Sequence, residues 1–142
     1  MLGAEKEIVE TYVPTGQVKV EFSPILDLGP NSLNAAAAAY CAGFQNPMAF
    51  WELHDTFFAN QGEVFRADRD YFVNAAAATG VDQAAFASCY DGGEAHALVS
   101  EHDNARRRAN ISIRPTIDVN GQLLFGAQPF AAFAQVIEAA LP

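Results

Sequence analysis

Positive charge is scarce in this sequence. Eight Lys and Arg stand against seventeen Asp and Glu, for a formal net charge of −9. So acidic a chain repels phosphate backbones and anionic headgroups, and neither nucleic acid nor a membrane surface is expected as a partner. The one basic run, Arg106-Arg107-Arg108, falls at the end of a predicted helix, where cations suit the macrodipole. It reads as a solvated helix end rather than a phosphate site. Apolar runs of membrane-spanning length are lacking as well: the longest tract, Ala35 to Ala39 followed by Tyr40-Cys41-Ala42, belongs to a predicted helix of ordinary length. The opening MLGAEKEIVETYV has no stretch suited to a signal peptide or a membrane span. No linker, repeat or charge block marks a second domain, and no Gly-rich phosphate loop is present. His96 and His102 are not at i,i+4 spacing, and no Cys or His pair completes a ligand set. Neither a metal nor a cofactor is expected.

What is there is the raw material of a packed core. Hydrophobic residues make up 51% of 142 residues, with eleven Phe, and charged residues only 18%. That composition and length suit one globular domain. Ile8, Val9, Tyr12 and Val13 recur at helical spacing over 5–13, and Pro14-Thr15-Gly16 ends the run. Val18, Val20 and Phe22 alternate with Lys19 and Glu21, which predicts a short half-buried strand. Helices are then predicted over 33–42, from the Asn46-Pro47 start to near Gly62, over 68–78, from Asp82 to about Tyr90, and over 94–108. Asn120-Gly121 sits between Ile117, Val119 and Leu123, Phe125. That is the signature of a type I′ hairpin, whose two central residues need positive φ. A last helix from Phe130 to Leu141 carries Phe133, Val136 and Ile137 on one face. The order is helix, strand, five helices, two antiparallel strands, helix. This is an α/β arrangement in which an all-helical block interrupts a sheet.

Two cysteines are available for chemistry, Cys41 and Cys89. The residues alone leave three readings open: reduced core thiols, a structural disulfide, or a redox pair. The last is disfavoured, because each lies in an apolar helix pattern with no basic neighbour to lower its pKa. His54-Asp55 has the form of an oriented base, but no nucleophile motif accompanies it, and packing or capping is the better reading. Trp51 and the Phe57-Phe58 pair read as core.

The stretch from Pro115-Thr116-Ile117-Asp118-Val119-Asn120-Gly121 through Gly126 and Phe130 is similar to the last hairpin and helix of thioredoxin-like oxidoreductases. Phe50-Trp51-Glu52-Leu53-His54-Asp55, with Phe58, Asn60 and Gln61, resembles the insertion helix of bacterial DsbA-like and BdbD-like proteins. The pairing of Tyr40-Cys41-Ala42 with Phe86-x-x-Cys89 does so too. The resemblance covers nearly the whole chain. It implies an α/β thioredoxin-like fold, with 1–28 and 111–142 forming the core and 29–110 a helical insertion. It implies a disulfide between Cys41 and Cys89, and a cis-proline at Pro115 whose neighbours Arg114 and Thr116 line a groove for extended substrate. Arg114 stands where a small or β-branched residue is expected. For a full-length form the resemblance implies protein or peptide thiols and disulfides as partners, and an extracytoplasmic setting.

The chain departs from that family at its most characteristic point. There is no Cys-x-x-Cys, since the two cysteines are 48 positions apart. Residues 5–13 align with the later part of the helix that should carry the motif, and the strand before it has no counterpart. The fold is therefore expected to be incomplete at its N-terminus, with no catalytic residues in this chain. The absent strand is central in the family's sheet. Its loss would leave strand edges at 18–22 and 116–119 without partners, and homo-oligomers formed through those edges are expected.

Overall fold

The structure is a computed structural model that describes residues 3–142; Met1 and Leu2 lie outside the described residues. It forms two compact units. One comprises the described residues up to Phe22 together with Arg107–Pro142, and the other Ser23–Arg106.

The first unit is built from α1 (Ala4–Tyr12), the hairpin strands β1 (Thr116–Val119) and β2 (Gln122–Phe125), and α8 (Phe130–Ala140). Apolar residues at helical spacing turn one face of α1 and one of α8 inward, and Ala4, Ile8, Tyr12, Phe133 and Ile137 form the core. Tyr12 stacks on Phe130 with ring centroids 6.2 Å apart, and its hydroxyl donates to Glu138 Oε1 at 3.0 Å. Pro14 does not stop the chain at once, because a 3-10 turn, Val13–Thr15, continues α1. The hairpin has the expected register, with Ile117 opposite Leu124 and Val119 opposite Gln122. Asn120 and Gly121 both take positive φ, 50° and 96°. The Asp118 carboxylate accepts from the Gly121 N–H at 2.6 Å and fixes the turn.

The strand expected at 18–22 is not found. Among the described residues the sheet has two strands, β1 and β2, and 18–22 is extended chain outside it. Alternation supplies a face to bury, and Val18 does pack on the core, but a strand also needs a ladder partner in register. Leu124, opposite Ile117, points to the core, whereas Leu123 and Phe125 stand on the other face, 36% and 46% exposed.

The second unit is helical: α2 (Pro30–Gln45), α3 (Pro47–Ala59), α4 (Gln61–Val64), α5 (Arg69–Ala78), α6 (Gln83–Gly92) and α7 (Glu94–Arg108), the last two residues of α7 belonging to the first unit. Asn46, Asp68 and Asp82 cap α3, α5 and α6, accepting from the N–H groups of Met48, Tyr71 and Ala85. The core consists of the alanine face of α2 with Leu53, Phe57, Phe72, Phe86 and Tyr90. Phe58 is 36% exposed, a correction to its expected place in the core. Adjacent helical residues point about 100° apart, so Phe57 can enter the core only by turning Phe58 outward. Arg106 corrects another expectation. It is not solvated at its helix end but 8% exposed, bonded to Asp103 Oδ1 and Asp27 Oδ1 at 2.6 Å each. Asp103 also accepts from the Leu26 N–H at 3.1 Å, so the network ties the entry segment to α7. Breaking a buried pair of this kind leaves an uncompensated charge.

Candidate functional site

Arg114, Pro115 and Thr116 lie at the start of β1 in the first unit. The Arg114–Pro115 bond is cis, as the resemblance implies. Arg114 and Pro115 are exposed and Thr116 half-buried. The Gly126 N–H donates to the Pro115 carbonyl at 2.8 Å, and the Thr116 hydroxyl donates to the Ile113 carbonyl at 2.6 Å. Together these bonds fix the segment onto the hairpin. The Pro115–Gly126 bond also sets the direction of every backbone group on β1. In an antiparallel pair, hydrogen-bonded and non-bonded positions alternate. Residues 115, 117 and 119 face β2, so the N–H and C=O of Thr116 and Asp118 point away from it, along the outer edge of the strand. An outward row of donors and acceptors can pair with an extended chain.

Cys41 and Cys89 lie in the helical unit, on α2 and α6. Their sulfurs are bonded at 2.01 Å and their Cα atoms are 5.8 Å apart. Cys41 is 1% exposed. These are the two cysteines of the sequence, so no thiol is left for exchange. His54 is 4% exposed and packs among Phe50, Trp51 and Phe58, with Nδ1 3.0 Å from Asp55 Oδ1. It is a packed ring with a polar anchor. A 2.9 Å hydrogen bond joins the Tyr40 hydroxyl and His102 Nδ1. Among the described residues, no group of three or more His, Cys, Asp or Glu could hold a metal.

The sequence profile of the thioredoxin family matches residues 2–139. The chain belongs to the thioredoxin family. Its fold is the thioredoxin-like α/β fold with a helical insertion, represented here by a small two-stranded sheet and eight α-helices among the described residues. This thioredoxin-family chain is also similar to the Na(+)/H(+) antiporter NhaA 1 of Salinispora arenicola (strain CNS-205), with 30% identity over 117 residues. The match covers 82% of this chain and 17% of the antiporter. Among the described residues, no helix is long and apolar enough to cross a membrane.

Proposed function

We propose that this thioredoxin-family chain is a DsbA-like domain whose residues bind an extended polypeptide at the outer edge of β1, beside Arg114, Pro115 and Thr116, without exchanging disulfides themselves. The observation that carries the reading is that both cysteines are joined to each other in the helical unit. Exchange requires a thiolate to attack a disulfide sulfur, forming a mixed disulfide and expelling the second sulfur as thiolate. A chain with no thiol cannot begin that step. Binding needs less. Thr116 and Asp118 offer main-chain donors and acceptors to an incoming strand, and the exposed Leu123 and Phe125 offer apolar contact on one face. An extracytoplasmic setting suits a protein that keeps a disulfide. Where a Cys-x-x-Cys is supplied by residues outside these 142, the same edge would serve an oxidoreductase, with protein thiols and disulfides as substrates.

The test is turbidimetric reduction of insulin by dithiothreitol, with and without the chain. The expected rate equals that of dithiothreitol alone. Turnover above that rate which disappears in Cys41→Ser would overturn the reading and make Cys41 and Cys89 a working redox pair.

A further inference from the structure

The helical unit opens a second surface that does not involve Arg114, Pro115 or Thr116. Between α2 and α3 lies a cleft of about 230 Å³ lined by Tyr40, Gly43, Phe44, Pro47, Phe50 and Trp51. We propose that this cleft docks a polypeptide segment that inserts one large apolar side chain flanked by Lys or Arg.

Size, wall and charge each narrow the occupant. Pockets for small organic ligands run to roughly 300–1,000 Å³. This cleft is smaller and has room for a single anchoring side chain. Its walls are propped rather than loose: Phe50 meets Tyr40 edge-on at 5.4 Å and Trp51 edge-on at 5.1 Å. Gly43 sets the close approach of the helices, since a Cβ there would fall 2.9 Å from Phe50 Cβ. At the mouth, Phe44 is 61% exposed, and a partly exposed aromatic of this kind is what interfaces bury.

The surroundings are acidic. The α2 helix has no charged residue, and no Lys or Arg occurs between Ser23 and Phe65. On α3, Glu52 follows Trp51 directly and Asp55 follows it by one turn, both exposed. Residues 23–106 hold eleven of the seventeen carboxylates and three of the eight Lys and Arg, a formal charge of −8 out of −9. Such a field attracts cationic flanks and repels an anionic bilayer or a second copy of the same unit. Tyr40 and Trp51 add faces on which a Lys or Arg can rest.

Trp51 is the single tryptophan and lines the cleft, so it reports directly on occupancy. The full chain is titrated with the peptide acetyl-Lys-Lys-Phe-Lys-Lys-amide while Trp51 emission is followed, and heats are recorded in parallel by calorimetry. A saturable change is expected. Replacing the peptide's Phe by Ala, or its Lys by Glu, should weaken binding roughly tenfold or more. Phe44→Ala removes one wall and should weaken the Phe peptide by a similar factor. The exposure of Phe44 means this variant should melt where the parent does, and the melt is measured to confirm it. The proposal is overturned by the absence of saturable signal in both readouts, or by equal binding of the Glu peptide. It is also overturned by a larger response to phosphatidylserine vesicles than to peptide, which would indicate a membrane, or by self-association that Phe44→Ala abolishes, which would make a second copy the occupant.

Discussion

His96 sits on α7 with its ring edge-on to Tyr90, centroids 5.0 Å apart, and its Nδ1 buried without a hydrogen-bond partner among the described residues. Burial lowers its pKa from the usual value, against the opposing pull of Asp91. The same surroundings push Tyr90 up to about 12, first by burial and then by the charge of Asp91. A histidine held below its unfolded pKa destabilises the fold on protonation, because below about 6.5 the unfolded chain takes up the proton first. Stability is therefore fully present above that pH. It declines as pH falls toward the lowered folded value and levels off beyond it. Thermal melts between pH 8 and 5 should show this slope, and His96→Phe should flatten it. The unpartnered nitrogen carries a desolvation cost of about 1–3 kcal/mol, so the phenylalanine should also melt no lower at pH 7. A variant that melts lower, with the slope unchanged, would show that the ring is held by a bond rather than by packing. Single residues were legible where local chemistry decides them. Asn120-Gly121 dictated its turn, Asn46 and Asp82 their caps, and His54 its packing role rather than that of a base. Arg106 was not legible, because its partner Asp27 is distant in sequence and only the fold brings the two together.

Among the elements, the join between α2 and α6 rests on a covalent bond. The Cys41–Cys89 bridge closes a loop with a sequence separation of 48, and by chain entropy this stabilises by about 4 kcal/mol. The double variant Cys41→Ala/Cys89→Ala should lose roughly that amount in guanidinium unfolding followed by far-UV circular dichroism. Coincident transitions for parent and variant would show that packing of the alanine face alone holds the helices. Helices marked by a strong cap, such as α5, or by a periodic apolar face, such as α8, were readable to within a residue or two. The segment 18–22 was not, since strand formation depends on a neighbour that its own sequence does not reveal. The aromatic cleft escaped for a related reason. Trp51 looks like a core residue in a linear pattern, and only the crossing of α2 over α3 at Gly43 shows that it lines an open cleft with Phe44 and Phe50.

At the scale of the whole molecule, the hairpin raises the question of assembly. A two-stranded sheet is marginal by itself. Here β1 carries outward-pointing backbone groups at Thr116 and Asp118, and β2 presents exposed Leu123 and Phe125. Open edges of this kind recruit further strands. Sedimentation velocity at micromolar concentration should show a reversible dimer. It should strengthen with salt as the mutual repulsion of two chains of −9 is screened, and it should be lost in Leu123→Lys. A monomer at every concentration and ionic strength would sink the idea. The disulfide has a further consequence at this scale. Residues 41–89 form a covalent ring that includes the turn at Phe65, whose side chain is 70% exposed. A protease that cuts this turn opens the ring without dividing the polymer. Both fragments stay attached through Cys41 and Cys89, and the helical unit keeps its neighbours after the peptide backbone has been broken.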